Sequence, residues 1–366
     1  MKKNEFRLWT IGDAHVGTDL KFGRKSLSET LRQSEEGNDA APSIPWDIAL
    51  NIGDLSGGQW IPDDEEGREV VEQFSALRDH QREDIYDICG NHDRNGSWEP
   101  EAEWFQKWVD PMGVNTRFSG VHAERRKYPV KGTWERYSFQ VGNLLFLMMS
   151  DRNDPSRPYG RGLLGGNPGG VVTGETFDWW KHQIESHPEC IVISAHHYML
   201  KNTTVASGPW EGMEKSEDGT WQSLYHGYKP TGSPRGASFL NFVGSVEDSE
   251  SFEGYLQKNL GACALWIGGH THTHPDDRCG GKSHIETKWG GHFINTAALT
   301  AHHGKTSLPM SRHLTFEEGS AELRVRCYLH TSDHAPQGWY QPAEKTLRLP
   351  KAFIGPDSDP NRTLKV

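Results

Sequence analysis

Five short clusters of histidine, aspartate and asparagine recur along the chain, each closely following an apolar run: Asp13-Ala14-His15, Gly53-Asp54, Gly90-Asn91-His92-Asp93, His196-His197 and Gly269-His270-Thr271-His272. The runs before them are Phe6 to Ile11, Ile48 to Ile52, Ile85 to Cys89, Ile191 to Ser194 and Ala262 to Ile267. Apolar runs this short, bounded by glycine, read as buried strands rather than helices. In open α/β sheets ligands collect outside the carboxyl ends of the strands. All five clusters are therefore expected to point into one crevice. Each offers oxygen or imidazole donors, so together they read as a site for two metal ions.

The text between the clusters fits alternating strands and helices. Residues 67–80 place Val70, Val71, Phe74 and Leu77 on one helical face, and residues 99–109 and 176–186 repeat the pattern with tryptophans on the buried side. A strand pair is expected at residues 134–141 and 144–149, turned at Gly142-Asn143. After His272 the pattern changes to successive strands at 283–288, 292–295, 312–316 and 321–329, the last two an antiparallel pair around Glu318-Gly319. The expected fold class is α/β, a two-sheet sandwich with flanking helices. Residues 1–335 read as one catalytic unit. Within it, residues 198–246 lack periodicity and read as an inserted lid or cap. Residues 336–366 read as a Pro-rich tail that wraps the surface or frays.

Composition narrows the function. A formal net charge of -11 argues against general binding to nucleic acid or an anionic membrane. No stretch approaches the roughly 20 apolar residues that span a bilayer. The basic start, Met1-Lys2-Lys3, runs too soon into Asp13 to leave room for a secretory core, and reads as the approach to the first strand. The five cysteines are widely separated and contain no C-x-x-C pair, so neither a disulfide framework nor a thiolate zinc site is expected. A reduced, cytoplasmic protein acting on a small-molecule ligand is the expectation. Mixed imidazole and oxygen donors suit Mn, Fe, Zn or Co better than Ca or Mg.

The order Asp-x-His, Gly-Asp, Gly-Asn-His-Asp, His, Gly-His-x-His over residues 13–272 resembles the calcineurin-like metallophosphoesterase superfamily. The resemblance implies two divalent ions sharing a hydroxide that attacks phosphorus in line. It implies Asp54 as the bridge, Asp13, His15 and His272 on one metal, and Asn91, His196 and His270 on the other. It makes His92 a general acid rather than a ligand, with Asp93 orienting it. His196 is preferred over His197 because the family's ligand directly follows the strand. His197 is left a supporting or substrate-facing role.

Purple acid phosphatases, in the same superfamily, carry a tyrosine ligand three residues after the bridging aspartate. Here that position is Gly57, which argues against a ferric-tyrosinate centre. Ser150-Asp151, the Gly-rich segment through Gly169-Gly170-Val171-Val172, and Thr176-Phe177-Asp178-Trp179-Trp180 are similar to the cyclic-nucleotide and glycerophosphodiester phosphodiesterase branch. Two departures stand out: Tyr198-Met199 replaces the proline usual after the histidines, and the excursion to Val246 is long. Arg94, Arg152, Arg157 and Arg161 are candidates for a phosphate clamp, Arg94 first among them. His302 and His303 are candidates to reach the crevice. The expected activity is hydrolysis of a small phosphodiester. The alternatives are a phosphomonoesterase or nucleotidase, and a metal-binding scaffold without chemistry.

Overall fold

In the computed structural model the apolar runs that precede the clusters become strands buried on both faces, which is why they read as near-continuous apolar sequence. The structure describes residues 4–38, 41–58, 61–94, 102–152, 170–208, 213–215, 217–219, 221–223, 239–247, 250–301, 308–330 and 337–356. The strands of its two large sheets are numbered here in chain order. β1 (Glu5–Ile11), β2 (Ile48–Asn51) and β3 (Ile85–Asp87) are parallel neighbours. β4 (Lys131–Gly132), β5 (Arg136–Val141) and β6 (Leu144–Met149) form an antiparallel run, with Gly142 at φ 56° in the turn between β5 and β6. β7 (Ile191–His196) pairs parallel with β6, and β8 (Leu265–Gly268) pairs parallel with β7. β9 (Ile285–Lys288) and β10 (Gly291–Asn295) complete that sheet, in the order β9-β10-β8-β7-β6-β5-β4.

The remaining strands return to the first sheet. β11 (Met310–Glu317) runs antiparallel to β1, β12 (Glu322–Leu329) lies beside β11, and β13 (Gly338–Trp339) and β14 (Lys345–Arg348) both pair with β12. Residues 337–356 are thus part of the first sheet and its core rather than a tail: Leu349 and Phe353 are buried between the sheets. The apolar register of Thr-Leu-Arg-Leu against β12, which the proline count of the segment hid, is the reason.

Side-chain alternation builds the layers. Phe6, Leu8, Ile48 and Leu50 of the first sheet meet Phe146, Met148, Ile191, Ile193 and Ala195 of the second in one inter-sheet core. On the outer face of the first sheet, Trp9, Ile11 and Ala49 are covered by the helices Ser26–Glu36, Asp64–Phe74 and Glu103–Trp108. On the outer face of the second, Leu145, Leu147, Val192 and Trp266 meet Trp180 and Ile184 of the helix Gly174–Ser186 and Phe252 and Leu256 of the helix Glu250–Lys258. The architecture is the expected α/β sandwich.

Element boundaries moved where capping chemistry decided them. The helix expected over 67–80 spans Asp64–Phe74, because the Asp63 side chain accepts from the Glu65 and Glu66 amides and three acids fill the first turn. The helix Ser26–Glu36 escaped the sequence reading because its buried face is mostly Ser, Thr and Gln around only Leu27 and Leu31. The segment expected to be a lid divides. Residues 198–208 are largely buried, with Tyr198, Met199 and Leu200 in the second sheet's outer core, and Phe242–Val243 pairs with Val171–Val172. Most of what lies between, residues 224–238 included, falls outside the described residues.

Candidate metal centre

The loops after β1, β2, β3, β7 and β8 bring Asp13, His15, Asp54, Asn91, His92, His197, His270 and His272 together as buried side chains. Several of these residues hold a backbone that side chains rarely adopt: φ is 53° at Asp13, 40° at His15, 57° at Asp54 and 67° at His270. A left-handed non-glycine residue costs on the order of 1–3 kcal/mol and persists only where the surroundings fix it. Glycine is required where the loops touch. A Cβ at Gly90 would lie 2.2 Å from Asp54 Oδ1, and one at Gly269 would lie 2.5 Å from Asp13 Oδ2.

Asp93 is the clamp that holds these loops together. Its Oδ2 accepts from the amides of Asp54 (2.8 Å) and Gly90 (2.9 Å), and its Oδ1 accepts from the Ser56 amide at 2.9 Å. From the sequence, Asp93 is expected to orient His92. The structure shows the Gly58 carbonyl doing so, accepting from His92 Nδ1 at 2.8 Å. The difference follows from backbone supply, since three converging amides satisfy the Asp93 carboxylate. Burial and the neighbouring Asp54 carboxylate nevertheless push Asp93 up to about 7, against the pull of the Ser56 and Gly90 amides.

The histidine after β7 is also corrected. Ile191, Ile193 and Ala195 face the inter-sheet core, so the alternation carries His197 into the cluster and turns His196 to the opposite face. His197 Nε2 lies 3.2 Å from Asp54 Oδ2, 3.1 Å from Asn91 Oδ1 and 4.0 Å from Asp13 Oδ1. His196 instead accepts the Tyr198 amide on Nδ1 at 3.0 Å, and burial lowers it to about 4. Both faces of β7 are apolar, so composition did not reveal the alternation that separates the two histidines.

Protonation decides what the cluster can hold. The Ile52 carbonyl can only accept, so His197 Nδ1 carries a proton at 2.7 Å, and in the neutral ring Nε2 is the nitrogen left with a lone pair. His15 is pinned in the same way by the Ser56 carbonyl at 3.0 Å. These two lone pairs approach one carboxylate oxygen, Asp54 Oδ2, which is 3.2 Å from His197 Nε2 and 3.7 Å from His15 Nε2. Acceptors facing acceptors in a buried site need positive charge between them. Burial works against a charged His197, yet the Asp54 and Asp13 carboxylates lift it to about 10, so a second proton on Nε2 supplies that charge and a bound cation would replace it. Burial likewise opposes ionised Asp54, but His197, His92 and His15 hold it well below the usual carboxylate range. Burial raises Asp13 well above that range.

Donor atoms of Asp13, Asp54, His197 and His270 lie within 4.8 Å of one another, and so do those of Asp13, His15 and His272. Asn91 Oδ1 adds to the first group through its approach to His197. Asp54 faces both groups. Carboxylate and amide oxygens with imidazoles, of which His15 and His197 are anchored through Nδ1, form the kind of donor set that holds divalent transition metals. The residues present therefore fit two ions.

Arg94 is 2% exposed, and its Nη2 lies 3.5 Å from Asp151 Oδ2, tying the Gly-Asn-His-Asp loop to the segment just after β6. Arg152 pairs with Glu135 at 2.7 Å. Arg157, Arg161, His302 and His303 lie outside the described residues. Tyr198, read from sequence only as a departure from proline, is fully buried against the cluster, and its hydroxyl donates to Asn91 Oδ1 at 2.9 Å.

Residues 6–274 match the family described as calcineurin-like phosphoesterase. The chain belongs to that family. Membership implies hydrolase activity on phosphate esters and a site for divalent metals, and the described cluster supplies candidate ligands. No curated protein matches the chain. Among solved structures it is similar to a conserved uncharacterised protein described as a predicted phosphoesterase from Streptococcus pneumoniae TIGR4, with 10% identity, a TM-score of 0.35, and 94% of this chain and 98% of that one covered. It is also similar to the purple acid phosphatase PPD1 of yellow lupin (Lupinus luteus), with 15% identity and a TM-score of 0.44, over 93% of this chain and 55% of that one. Chaetomium thermophilum Vps29 matches at 8% identity and a TM-score of 0.30, over 95% of this chain and 96% of that one. No helix among the described residues is long and apolar enough to cross a membrane.

Proposed function

We propose that this phosphoesterase hydrolyses a small phosphodiester at a pair of divalent transition-metal ions, Mn, Fe, Zn or Co. Asp13, His15, Asp54 and His272 would hold one ion, and Asp54, Asn91, His197 and His270 would hold the other. The observation that carries this reading is Asp54 Oδ2, set between Nε2 of His15 and Nε2 of His197, each ring anchored through Nδ1 on a backbone carbonyl. Two such ions supply, when bound, Lewis acidity at the phosphoryl oxygens and a nucleophile drawn from water.

The chain's own residues perform the remaining work. The carbonyls of Ile52 and Ser56 fix the tautomers of His197 and His15, so both imidazoles arrive with lone pairs inward. Asp93 fixes the separation of the loops that carry Asp54 and Asn91. His92 is held by Gly58 with Nε2 free of that bond, and its ring sits 4.7 Å from His15, edge to face. Protonated at Nε2, it delivers the proton that the departing alkoxide requires, a contribution typically worth about 100- to 10,000-fold.

A diester substrate is supported by the likeness of the Ser150-Asp151, Gly-rich and Trp-helix segments to the phosphodiesterase branch. The net charge of -11 supports a small ester over a nucleic acid. The five cysteines are free, which supports a reducing compartment such as the cytoplasm. Residues 1–335 would form the catalytic unit, extended by the strands at 338–339 and 345–348.

The test is turnover of the Mn-reconstituted protein on a panel of mono-, di- and cyclic phosphate esters. Faster cleavage of diesters is expected. Preference for monoesters would transfer the assignment to a phosphatase or nucleotidase, and absence of metal-dependent turnover would leave a scaffold. His92→Ala is expected to slow alkyl esters about 100-fold or more beyond its effect on nitrophenyl esters. Equal slowing of both would remove the acid role.

A further inference from the structure

The described contacts of Tyr198 with the candidate donors fall on one half of the metal centre. Its hydroxyl donates to Asn91 Oδ1 at 2.9 Å. Its ring lies over His270 with centroids 4.1 Å apart and planes tilted by 34°, and it meets His197 nearly edge-on at 5.1 Å and 86°. These are three of the donors proposed for the Asn91 side of the centre.

The tyrosine is itself held on several sides. Its amide donates to His196 Nδ1 at 3.0 Å, and its carbonyl accepts from Trp266 Nε1 at 3.2 Å. The side chain is fully buried, in the second sheet's outer core with Met199, Leu200 and Trp266. His196, which does not join the cluster, thus has a task consistent with its position: it fixes the backbone that aims Tyr198.

We infer that Tyr198 is a positioning residue that sets the affinity of the Asn91–His197–His270 ion position and not that of the Asp13–His15–His272 position. The inference rests on the two-ion reading given above. Asn91 is the weakest donor of its group, a neutral amide that can present oxygen or nitrogen, and its Nδ2 finds no hydrogen-bond partner among the described residues. A hydroxyl donating to Oδ1 fixes the oxygen toward His197 Nε2, leaves that oxygen's second lone pair for the cation, and prevents the amide from rotating. The ring restrains the His270 imidazole in the same step. Outer groups of this type typically change metal affinity by about 10- to 100-fold when removed.

The experiment is a metal titration of full-length apoprotein with Mn²⁺, followed by calorimetry, comparing the unaltered chain with Tyr198→Phe. Phenylalanine keeps the ring over His270 and removes only the hydroxyl. The unaltered chain is expected to bind two equivalents. In Tyr198→Phe the first equivalent is expected to bind with unchanged affinity and the second about 10- to 100-fold more weakly, with the thermal transition of the apoprotein retained as a check on folding. Tyr198→Leu, which also removes the ring, is expected to weaken the second equivalent further while sparing the first. Equal affinities for both equivalents in Tyr198→Phe would overturn the inference, as would equal weakening of both. If the unaltered chain binds fewer than two equivalents, the two-ion reading has failed instead. A charge-transfer band in the visible spectrum of the ferric protein that disappears in Tyr198→Phe would make the tyrosine a ligand and overturn the positioning role.

Discussion

The chain buries histidine in two chemically opposite ways. Around β1, β11 and β12, Trp9 Nε1 donates to Ser311 Oγ at 2.8 Å, the Ser311 hydroxyl meets His330 Nε2 at 2.7 Å, and His330 Nδ1 meets Gln33 Oε1 at 3.0 Å. Every donor there has an acceptor, and the ring is satisfied as a neutral molecule. Beside Asp54 the same residue type is arranged so that lone pairs converge on a carboxylate and on an amide oxygen. Burial is complete in both places. The difference teaches that a buried histidine marks a site through what its nitrogens still need, not through its burial.

The largest effect that separates the two regions is expected at Asp54. Removing the carboxylate whose Oδ2 lies between His15 Nε2 and His197 Nε2 should release both ions and lower kcat/KM on the order of 10,000-fold, as for residues that act as a unit. Metal analysis after gel filtration, together with single-turnover rates, checks this. Retention of two equivalents by Asp54→Ala would show that the acceptors do not depend on their shared oxygen, and the contrast with the His330 network would lose its basis.

The sequence already contained most of the centre, because donors at the ends of apolar runs are a local pattern and the five loops needed only a common sheet direction to meet. Asp13, His15, Asp54, Asn91, His92, His270 and His272 could each be read from the residues just before them. His197 could not be separated from His196, since Val192 and Ile193 are equally apolar and only the packing of β7 shows which face turns inward. Asp93 was misread for a different reason: its partners are amides of Asp54, Ser56 and Gly90, and a backbone donor has no signature in side-chain text. The layers were legible from alternation. The attachment of residues 338–348 to β12 was not, because short edge strands carry little periodicity.

A smaller effect is expected from acid. Burial lowers His313 to about 4 and lowers His330 well below its usual value, in both cases because the folded environment is built for the neutral ring. Above the unfolded value of about 6.5 neither state takes up a proton at these positions. As the pH falls from there toward about 4, the unfolded chain is protonated first, so stability declines by up to about 1.4 kcal/mol per pH unit for each such histidine. Denaturant titration of the Asp54→Ala variant isolates this slope from any contribution of bound metal. His313→Gln is expected to flatten part of it, and an unchanged slope in that variant would mean that His313 is protonated equally in both states.

The smallest effect is the one that tests the comparison most directly. His330→Ala leaves the Ser311 hydroxyl and Gln33 Oε1 without their shared partner in a buried setting, which costs about 1–3 kcal/mol for each group left unsatisfied, less whatever neighbouring groups recover by rearranging. That loss should appear entirely in the unfolding free energy. Metal equivalents and kcat should not change, because Trp9, Ser311, His330 and Gln33 are absent from the groups of donors around Asp54. A His330→Ala protein that folds but loses its second metal equivalent would show that the two regions are energetically one, and that satisfaction of the first is a condition for the need of the second.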